Sequence, residues 1–332
     1  MFGLLAAALV LASFFLVNAV LSAIVMAVAP PAMGATAGLR PWWRGRILLG
    51  LRMLPPVGAA AAALGLVAPS YLALEPLGTG EGVGLPLALL AAGGGLVLLH
   101  GLARAARALA ATSALARRWS RRGRTVALSS SPVQAFRVDQ ESPVFAVLGM
   151  WRPRLFVSDR VLDALTTDEL AAAVAHERAH LAAHDNLKRL LMCAAPDLVA
   201  FSSVAGSLER EWSRASEALA DERASAGRGD TALALAAGLL KVARLTASAP
   251  PRLPISALHD GGDVEARVRR LVTAAGVERA SGTGGAGEGA SRLSRAPARI
   301  AALAFAATLA AGIAASLPAV HSAVEIAVRL TR

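Results

Sequence analysis

A helix start and a metal-binding motif lie together in residues 166–180, whose sequence is TTDELAAAVAHERAH. Thr166 and Glu169 have the spacing of a capping box, in which two side chains satisfy backbone N–H groups at the start of a helix. Asp168 adds negative charge to the first turn, where the helix dipole favours it. The Ala- and Leu-rich run that follows predicts a helix over residues 167–183.

This helix carries the motif H-E-x-x-H at His176, Glu177 and His180. Histidines at positions i and i+4 lie on one helical face, so both imidazoles can reach one metal ion. Glu177 lies beside the open coordination position, where its carboxylate can act as the general base of a hydrolysis. Two ordinary surface histidines are the alternative, but the chain has only 6 His in 332 residues, so chance rarely produces this motif. The motif therefore indicates the zinc site of a metallopeptidase.

A catalytic zinc takes a third protein ligand and leaves its fourth position to water. Cys193 is the only cysteine and lies in an apolar stretch, while His259 and His321 lie in a loop and at the last apolar segment. The best candidate is Glu217, which forms a Glu-x-x-x-Asp pair with Asp221 on the next predicted polar helix. Asp221 lies one turn further on, so its carboxylate can fix the tautomer of a zinc-bound imidazole.

Two further roles are open from the sequence. Amide hydrolysis develops an oxyanion that needs a hydrogen-bond donor besides the metal, and the candidates are His184, Arg214 and Arg223. For His184, a solvated surface position is the alternative. Asp185 either supports the metal helix or is a solvated residue at its end.

The apolar and basic residues of the chain are segregated. Hydrophobic residues make up 55% of the sequence and charged residues 17%, yet the formal net charge is +11, whereas soluble domains have about 25% charged residues. The apolar excess lies in four stretches that are long enough to cross a bilayer, which takes about 20 residues. These predicted spans are Phe2–Ala29, Met53–Leu74, Gly82–Ala103 and Ile300–Val320. The first is a retained helix rather than a secretory signal, because no charged residues precede it and its apolar run is too long.

Arginines flank the predicted spans on one side. The connection after the first span and the segment after the third are rich in Arg, whereas the connection between the second and third has Glu75 and Glu81 but no Lys or Arg. The positive-inside rule then places the N-terminus outside and the segment after the third span in the bacterial cytoplasm. The lipid bilayer is thus an expected partner, and the basic charge reflects anionic lipid and codon bias rather than nucleic acid, for which no direct contact is expected.

The chain divides into four predicted units. Residues 1–124 hold three spans and a basic extension, residues 125–275 form the zinc metallopeptidase domain, residues 276–297 are a Gly- and Ser-rich linker, and residues 298–332 hold the fourth span and a short tail. The fold class is therefore a mainly α membrane protein with a mixed α and β domain between the third and fourth spans.

Within the domain, four short β-type runs precede the metal helix and predict a small sheet. They are Thr125–Leu128, Gln134–Val138, Val144–Leu148 and Leu155–Val157. The apolar run Leu190–Leu208 contains Pro196 and Asp197, which favours a buried or membrane-dipping helix, with a fifth span as the alternative. Further helices are predicted over Leu208–Ala226, Thr231–Leu245 and Asp263–Val272.

These features resemble the BlaR/MecR family of integral-membrane zinc metallopeptidases. The resemblance lies in H-E-x-x-H followed by Asp185, in Glu217-x-x-x-Asp221, and in residues 142–158 ahead of the metal helix, which include Ser142–Gly149 and Arg152-Pro153-Arg154. The arrangement of four spans is similar as well, and it implies a zincin-like cytoplasmic domain.

The resemblance also implies roles for individual residues. His176, His180 and Glu217 would be the zinc ligands, Glu177 the base, and Asp221 the hydrogen-bond partner of a ligand. The strand formed by Phe145, Ala146, Val147 and Leu148 would bind extended substrate by β-addition. Family members that sense β-lactams carry a penicillin-binding domain after the last span, and this sequence ends soon after that span, so the sensing role is not carried over.

Three functions from two classes follow from these patterns. The favoured one is a membrane-embedded zinc endopeptidase that cleaves a cytoplasmic protein, by resemblance a winged-helix transcriptional repressor, in signal transduction. An HtpX-like quality-control peptidase shares the same motifs, and the apolar run before residue 208 is compatible with it. In the third, the zinc is structural and the chain is a receptor or scaffold, but a fourth protein ligand is not evident and Glu177 would have no role.

Overall fold

Long apolar helices form the first part of the chain. The computed structural model describes residues 2–74, 82–128, 131–247 and 264–281, with Ser322 and Ile326. It contains α1 (Phe2–Ala35), α2 (Pro41–Ala62), a π-helical turn (Ala63–Val67), α3 (Ala68–Leu74) and α4 (Leu85–Arg122). Three segments are long and apolar enough to span a membrane, namely Phe2–Ala35, Pro41–Leu74 and Leu85–Arg122, and they indicate a membrane protein. The predicted span Ile300–Val320 lies outside the described residues.

The spanning helices continue beyond their apolar stretches. α4 runs to Arg122, as predicted for its basic extension. α2 begins at Pro41 rather than near Met53, because its charged first half packs on the domain. There Arg44 pairs with Glu211 at 2.5 Å, and Arg52, which is fully buried, forms an ion pair with Asp197. Buried arginines are tolerated in a helix when such partners are present.

Glycines allow the helices to approach each other closely. A Cβ at Gly94 of α4 would lie 2.3 Å from the carbonyl oxygen of Leu11 on α1. Further along α4, a Cβ at Gly101 would lie 2.5 Å from the carbonyl oxygen of Ala194. Both positions therefore need a residue without a side chain, and the second brings α4 against the domain that carries the metal motif.

The domain combines a small sheet with a group of helices. The strands are β1 (Arg124–Val126), β2 (Ala135–Val138), β3 (Phe145–Leu148) and β4 (Arg154–Ser158). The helices are α5 (Asp159–Ala164), α6 (Thr167–Ala183), α7 (Asp185–Ala194), a 3-10 turn (Leu198–Phe201), α8 (Ser203–Ser225), α9 (Gly229–Ala247) and α10 (Val264–Ser281). The strand order is β1-β2-β4-β3, so β3 lies at one edge of the sheet.

Each face of the sheet is covered by helices. On one face, Phe145, Leu155 and Val157 pack with Val174 of α6 and Val242 of α9. On the other face, Trp119 of α4 contacts a second apolar cluster that contains Phe136, Val144 and Phe156. The alternation of side chains along each strand produces these two faces. The sheet thereby joins the basic end of α4 to the metal helix.

The segment Leu190–Leu208 differs from its prediction. It is not one helix, because α7 ends at Ala194 and α8 begins at Ser203. Pro196 disfavours helical backbone at the residue before it, and the side chain of Asp197 accepts a hydrogen bond from the Ala200 N–H at 2.9 Å, which starts the 3-10 turn instead. The segment between α7 and α8 contacts the first span directly, since Asn18 of α1 donates to the carbonyl oxygen of Pro196 at 2.9 Å.

The last described helix is longer than expected. The sequence predicts a short helix that ends at Val272 and a linker from residue 276, whereas α10 continues to Ser281. Leu271 and Ala275 are buried against Leu235 and Leu239 of α9, and this apolar contact supports the added turns. The rest of the predicted linker, residues 282–297, lies outside the described residues.

Candidate metal centre

Helix α6 presents the motif on its buried side. Its predicted bounds are confirmed, and so is its capping box, in which Thr166 and Glu169 bond each other's backbone N–H groups. His176, Glu177 and His180 are 1%, 5% and 8% exposed. Polar side chains at so low an exposure need partners, so their surroundings decide what the motif can do.

Glu217 of α8 meets the two histidines. One ligand atom from each of His176, His180 and Glu217 lies within 4.8 Å of the others. The two Nε2 atoms are 3.1 Å apart, and the carboxylate oxygens of Glu217 lie 3.3 Å from His176 Nε2 and 3.4 Å from His180 Nε2. Ligand atoms about 2.0–2.1 Å from a tetrahedral metal are separated by about 3.3 Å. The residues therefore fit a tetrahedral metal ion.

Each histidine has a carboxylate behind it. His176 Nδ1 lies 3.0 Å from Asp221 Oδ1, and His180 Nδ1 lies 2.8 Å from Asp185 Oδ2. Ser216 in turn donates to Asp185 Oδ2 at 2.6 Å. A carboxylate on Nδ1 leaves the Nε2 lone pair free for a metal. The structure thus places Asp185 and Asp221 in equivalent positions, each beside Nδ1 of one histidine, and Asp185 is buried there rather than solvated.

Electrostatics in this group favour charged carboxylates and a basic histidine. Burial lowers the pKa of His180, but the hydrogen bonds that its imidazole donates to Asp185 and Glu217 outweigh this effect and raise that pKa to about 10. Burial raises the pKa of Asp185, but the His180 and Ser216 hydrogen bonds outweigh it and lower that pKa to about 2. Burial likewise opposes ionisation of Glu217, yet its contacts with both histidines hold its pKa well below the usual value. A proton on an imidazole and a metal ion would compete for the same nitrogen atom.

Glu177 has a different environment from the other carboxylates. Burial raises its pKa and outweighs the opposing charges of His180 and His176 and the backbone N–H of Val147. Its Oε1 has no hydrogen-bond partner among the described residues. A buried carboxylate with a raised pKa and a free oxygen is suited to accept and return a proton.

Two arginines that sequence reasoning missed complete the group. Arg267 of α10 is 3% exposed and lies 3.1 Å from Glu217 Oε2 through Nη1. Arg189 of α7 lies 3.4 Å from Glu217 Oε1. Arg267 is 46 residues from its partner Asp221 along the chain, so no local spacing could have identified it.

A cleft of about 680 Å³ opens beside the motif. Its lining includes Glu177 and His180, the β3 residues Ala146 and Val147, and exposed Trp151. Edge strand β3 therefore forms one wall of the cleft, next to the candidate base.

The three oxyanion candidates separate in the structure. His184 lines the cleft, in a left-handed conformation with φ 57° between α6 and α7. Arg214 is exposed and pairs with Glu211, and Arg223 lines another cavity beside Trp42. Neither arginine is part of the group or the cleft, because α8 turns its Glu217 side toward the metal helix and these two residues away from it.

The Asp185→Asn variant is expected to bind metal about 10–100-fold more weakly than the wild type, the usual effect of losing a carboxylate behind a ligand. The amide keeps the size of the side chain but not the charge that orients His180. Affinity is measured by competition with a chelator. Asp168→Asn is the matched control, since Asp168 is exposed in the first turn of α6, at the opposite end from His180, and its loss should leave affinity unchanged. Equal affinities for both variants would contradict this role of Asp185.

Comparison with known proteins agrees with this geometry. Residues 81–269 match the family described as BlaR1 peptidase M56. No curated protein and no solved structure matches the chain significantly. The family match spans α4, the sheet and every residue of the His176, His180 and Glu217 group, which is consistent with a metal cofactor. Because it covers more than half of the sequence, the protein belongs to the BlaR1 M56 peptidase family, a family of membrane metallopeptidases.

Proposed function

We propose that the protein is a membrane-embedded zinc endopeptidase that cleaves a cytoplasmic protein. The observation that carries the proposal is the convergence of His176, His180 and Glu217 at distances of 3.1–3.4 Å, with Glu177 buried beside them at the wall of an open cleft. A structural zinc normally has four protein ligands and no cleft. The described residues offer three ligands and a free carboxylate, which supports catalysis over a scaffold role.

His176, His180 and Glu217 would hold the zinc, which supplies Lewis acidity for attack on a peptide carbonyl. Glu177 accepts a proton from the attacking water and passes it to the leaving amine. Asp221 and Asp185 hold the two imidazoles in the required tautomer. His184 is the remaining oxyanion candidate, because it is the one of the three that lines the cleft.

An extended substrate segment would lie along β3. This strand is at the sheet edge, and its residues Ala146 and Val147 line the cleft that contains Glu177. Backbone groups at a sheet edge can pair with an added strand, and the Val147 carbonyl oxygen, which accepts from Asn186 Nδ2 at 3.4 Å, would exchange that contact for one with the substrate. In this arrangement Phe145–Leu148 aligns the substrate backbone, and the scissile amide lies next to the candidate base.

We propose that the peptidase domain lies on the cytoplasmic side of the membrane, as do the arginines that flank the spans. Its proposed substrate is a transcriptional repressor, so that cleavage transmits a signal. A quality-control role is the second candidate, because in the HtpX-like group the metal helix is closely tied to the spans. Here Gly101 of α4 contacts Ala194, which lies in the segment that follows the metal helix. Comparing cytosolic proteins in cells with the wild type and with the inactive Glu177→Gln variant separates the two. Loss of one regulator supports signalling, and loss of many damaged proteins supports quality control.

Removal of the metal is expected to stop peptide hydrolysis by the purified full chain in detergent. Treatment with a chelator should abolish cleavage of an unfolded protein, and added Zn²⁺ should restore it, because Glu177 alone cannot activate the carbonyl. The measurement is the rate of fragment formation before chelation, after chelation and after zinc is returned. Cleavage that persists at full rate in a chelated, metal-free sample would contradict the proposal.

A further inference from the structure

The side chain of Arg267 contacts the candidate metal centre from α10, a helix that carries neither the H-E-x-x-H motif nor Glu217. Its Nε and Nη2 donate to Asp221 Oδ2 and Oδ1 at 2.9 and 2.7 Å, and its Nη1 lies 3.1 Å from Glu217 Oε2. One guanidinium therefore binds the carboxylate behind His176 in bidentate geometry and also the proposed third ligand. Bidentate pairs of this kind fix orientation as well as charge.

The position of α10 makes this contact rigid. Leu271 and Ala275, one and two turns after Arg267, are buried in a cluster with Ala172 of α6 and Ala224 of α8. That cluster joins α10 to both helices that carry the metal-facing side chains. Arg269 and Arg270 of the same helix are exposed, and Arg269 pairs at the surface with Glu265. Burial of a guanidinium is unfavourable unless the site uses its charge.

Charge balance gives Arg267 a function. Four buried carboxylates, Glu177, Asp185, Glu217 and Asp221, lie around the two histidines. Among the described cations that contact them, Arg267 alone is buried, whereas the side chains of Lys188 and Arg189 are 33% and 36% exposed. A single divalent ion does not neutralise this group, and the buried guanidinium of Arg267 supplies further positive charge beside Asp221 and Glu217.

We propose that Arg267 is a positioning residue of the metal centre, which holds Glu217 and Asp221 in the orientation that metal binding requires. α10 thereby becomes part of the metal site, although it lies far from the H-E-x-x-H motif in sequence. This inference rests on the proposed function. It predicts that changes in α10 alter metal affinity without any change to a ligand.

Nη2 of Arg267 also lies 3.5 Å from His176 Nε2, so repulsion between the guanidinium and the metal ion opposes this effect, although the Asp221 carboxylate that Arg267 binds offsets part of its charge. Arg267 and Asp221 form a neutral pair, so deleting the guanidinium frees the Asp221 carboxylate to rotate away from His176. The loss of orientation is therefore expected to exceed the relief of repulsion. A hydrogen-bond partner of a metal ligand typically changes affinity by about 10–100-fold.

The test compares Zn²⁺ affinity of the full chain in detergent for the wild type, Arg267→Ala, Arg267→Lys and the surface control Arg269→Ala. Chelator competition should show about a tenfold or greater loss for Arg267→Ala, a smaller loss for Arg267→Lys, and none for the control. The Lys variant keeps the charge and the aliphatic stem, so it carries the test if the Ala variant does not fold. Circular dichroism of the metal-free proteins reports folding separately.

Substitution of cobalt(II) for zinc gives a second measurement, which does not depend on the overall stability of the protein. Its visible absorption reports coordination geometry, so the Arg267→Lys spectrum should differ from the wild-type spectrum in a folded protein. Equal or tighter Zn²⁺ binding by both folded Arg267 variants would overturn the role of Arg267. If the wild type itself binds neither metal, the proposed zinc peptidase function fails instead, so the two failures are distinguishable.

Discussion

The Glu177→Gln variant is expected to retain its metal and to lose peptide hydrolysis, with kcat lower by roughly 10²–10⁴-fold. Unlike the other buried carboxylates at the motif, Glu177 is neither a proposed metal ligand nor the hydrogen-bond partner of a histidine. Its Oε1 lacks a hydrogen-bond partner among the described residues. An amide of the same size can accept the Val147 N–H but cannot take a proton from water. The loss should therefore appear in turnover and not in metal content.

The measurement pairs the cleavage rate with zinc content for each purified protein. Glu222→Gln is the matched control, because Glu222 is an exposed glutamate on α8, one residue from Asp221. This control should cleave at the wild-type rate. Hydrolysis by Glu177→Gln at the wild-type rate, with zinc bound, would show that another group acts as the base.

The second large effect is expected at Glu217. Glu217→Ala should weaken metal binding by more than about 100-fold, since it removes a ligand rather than the partner of a ligand, and partners alone account for about 10–100-fold. It also leaves Arg267 and Arg189 facing two histidines without the carboxylate between them. Arg267 keeps its pair with Asp221, so the free energy of unfolding of the metal-free protein is expected to fall by less than the about 3–5 kcal/mol that is typical of an unpaired buried charge.

Because of that destabilisation, Glu217→Gln is the second variant to measure. It keeps a carbonyl oxygen for Arg267 and the volume of the side chain, but it is a poor zinc ligand. Glu222→Ala is the matched control for the Ala variant. Zinc affinity by chelator competition and thermal unfolding of the metal-free forms are measured together. Wild-type affinity in a folded Glu217→Gln protein would assign the third ligand elsewhere.

Local sequence was sufficient for the metal helix. Thr166 and Glu169 mark its start, and the four-residue spacing of His176 and His180 places both imidazoles on one face whatever the rest of the chain does. The four strands and the first three apolar segments were also predictable, because alternation and apolar length act over a few residues. The family resemblance rested on these local motifs and is confirmed by the match over residues 81–269.

Long-range contacts explain where the predictions from sequence differ from the structure. The segment Leu190–Leu208 has the composition of one helix, but Pro196 and the Asp197 side chain end it, and the resulting break is held by Asn18 of α1. Arg214 and Arg223 were two of the three oxyanion candidates that the domain offers. Helix α8 turns them away from the group, because its metal-facing side is occupied by Glu217 and Asp221.

The sequence by itself determined the membrane character, the metal helix and the identity of the residues able to bind metal, since each depends on spacing within one helix or on composition within one segment. Only the tertiary structure decided that Asp185 and Asp221 each support one histidine, that β3 borders the cleft, and that Arg267 enters the group from α10. These contacts join residues up to 91 positions apart, as for Arg267 and His176. No local pattern encodes such pairs, because the packing of separate helices and strands creates them.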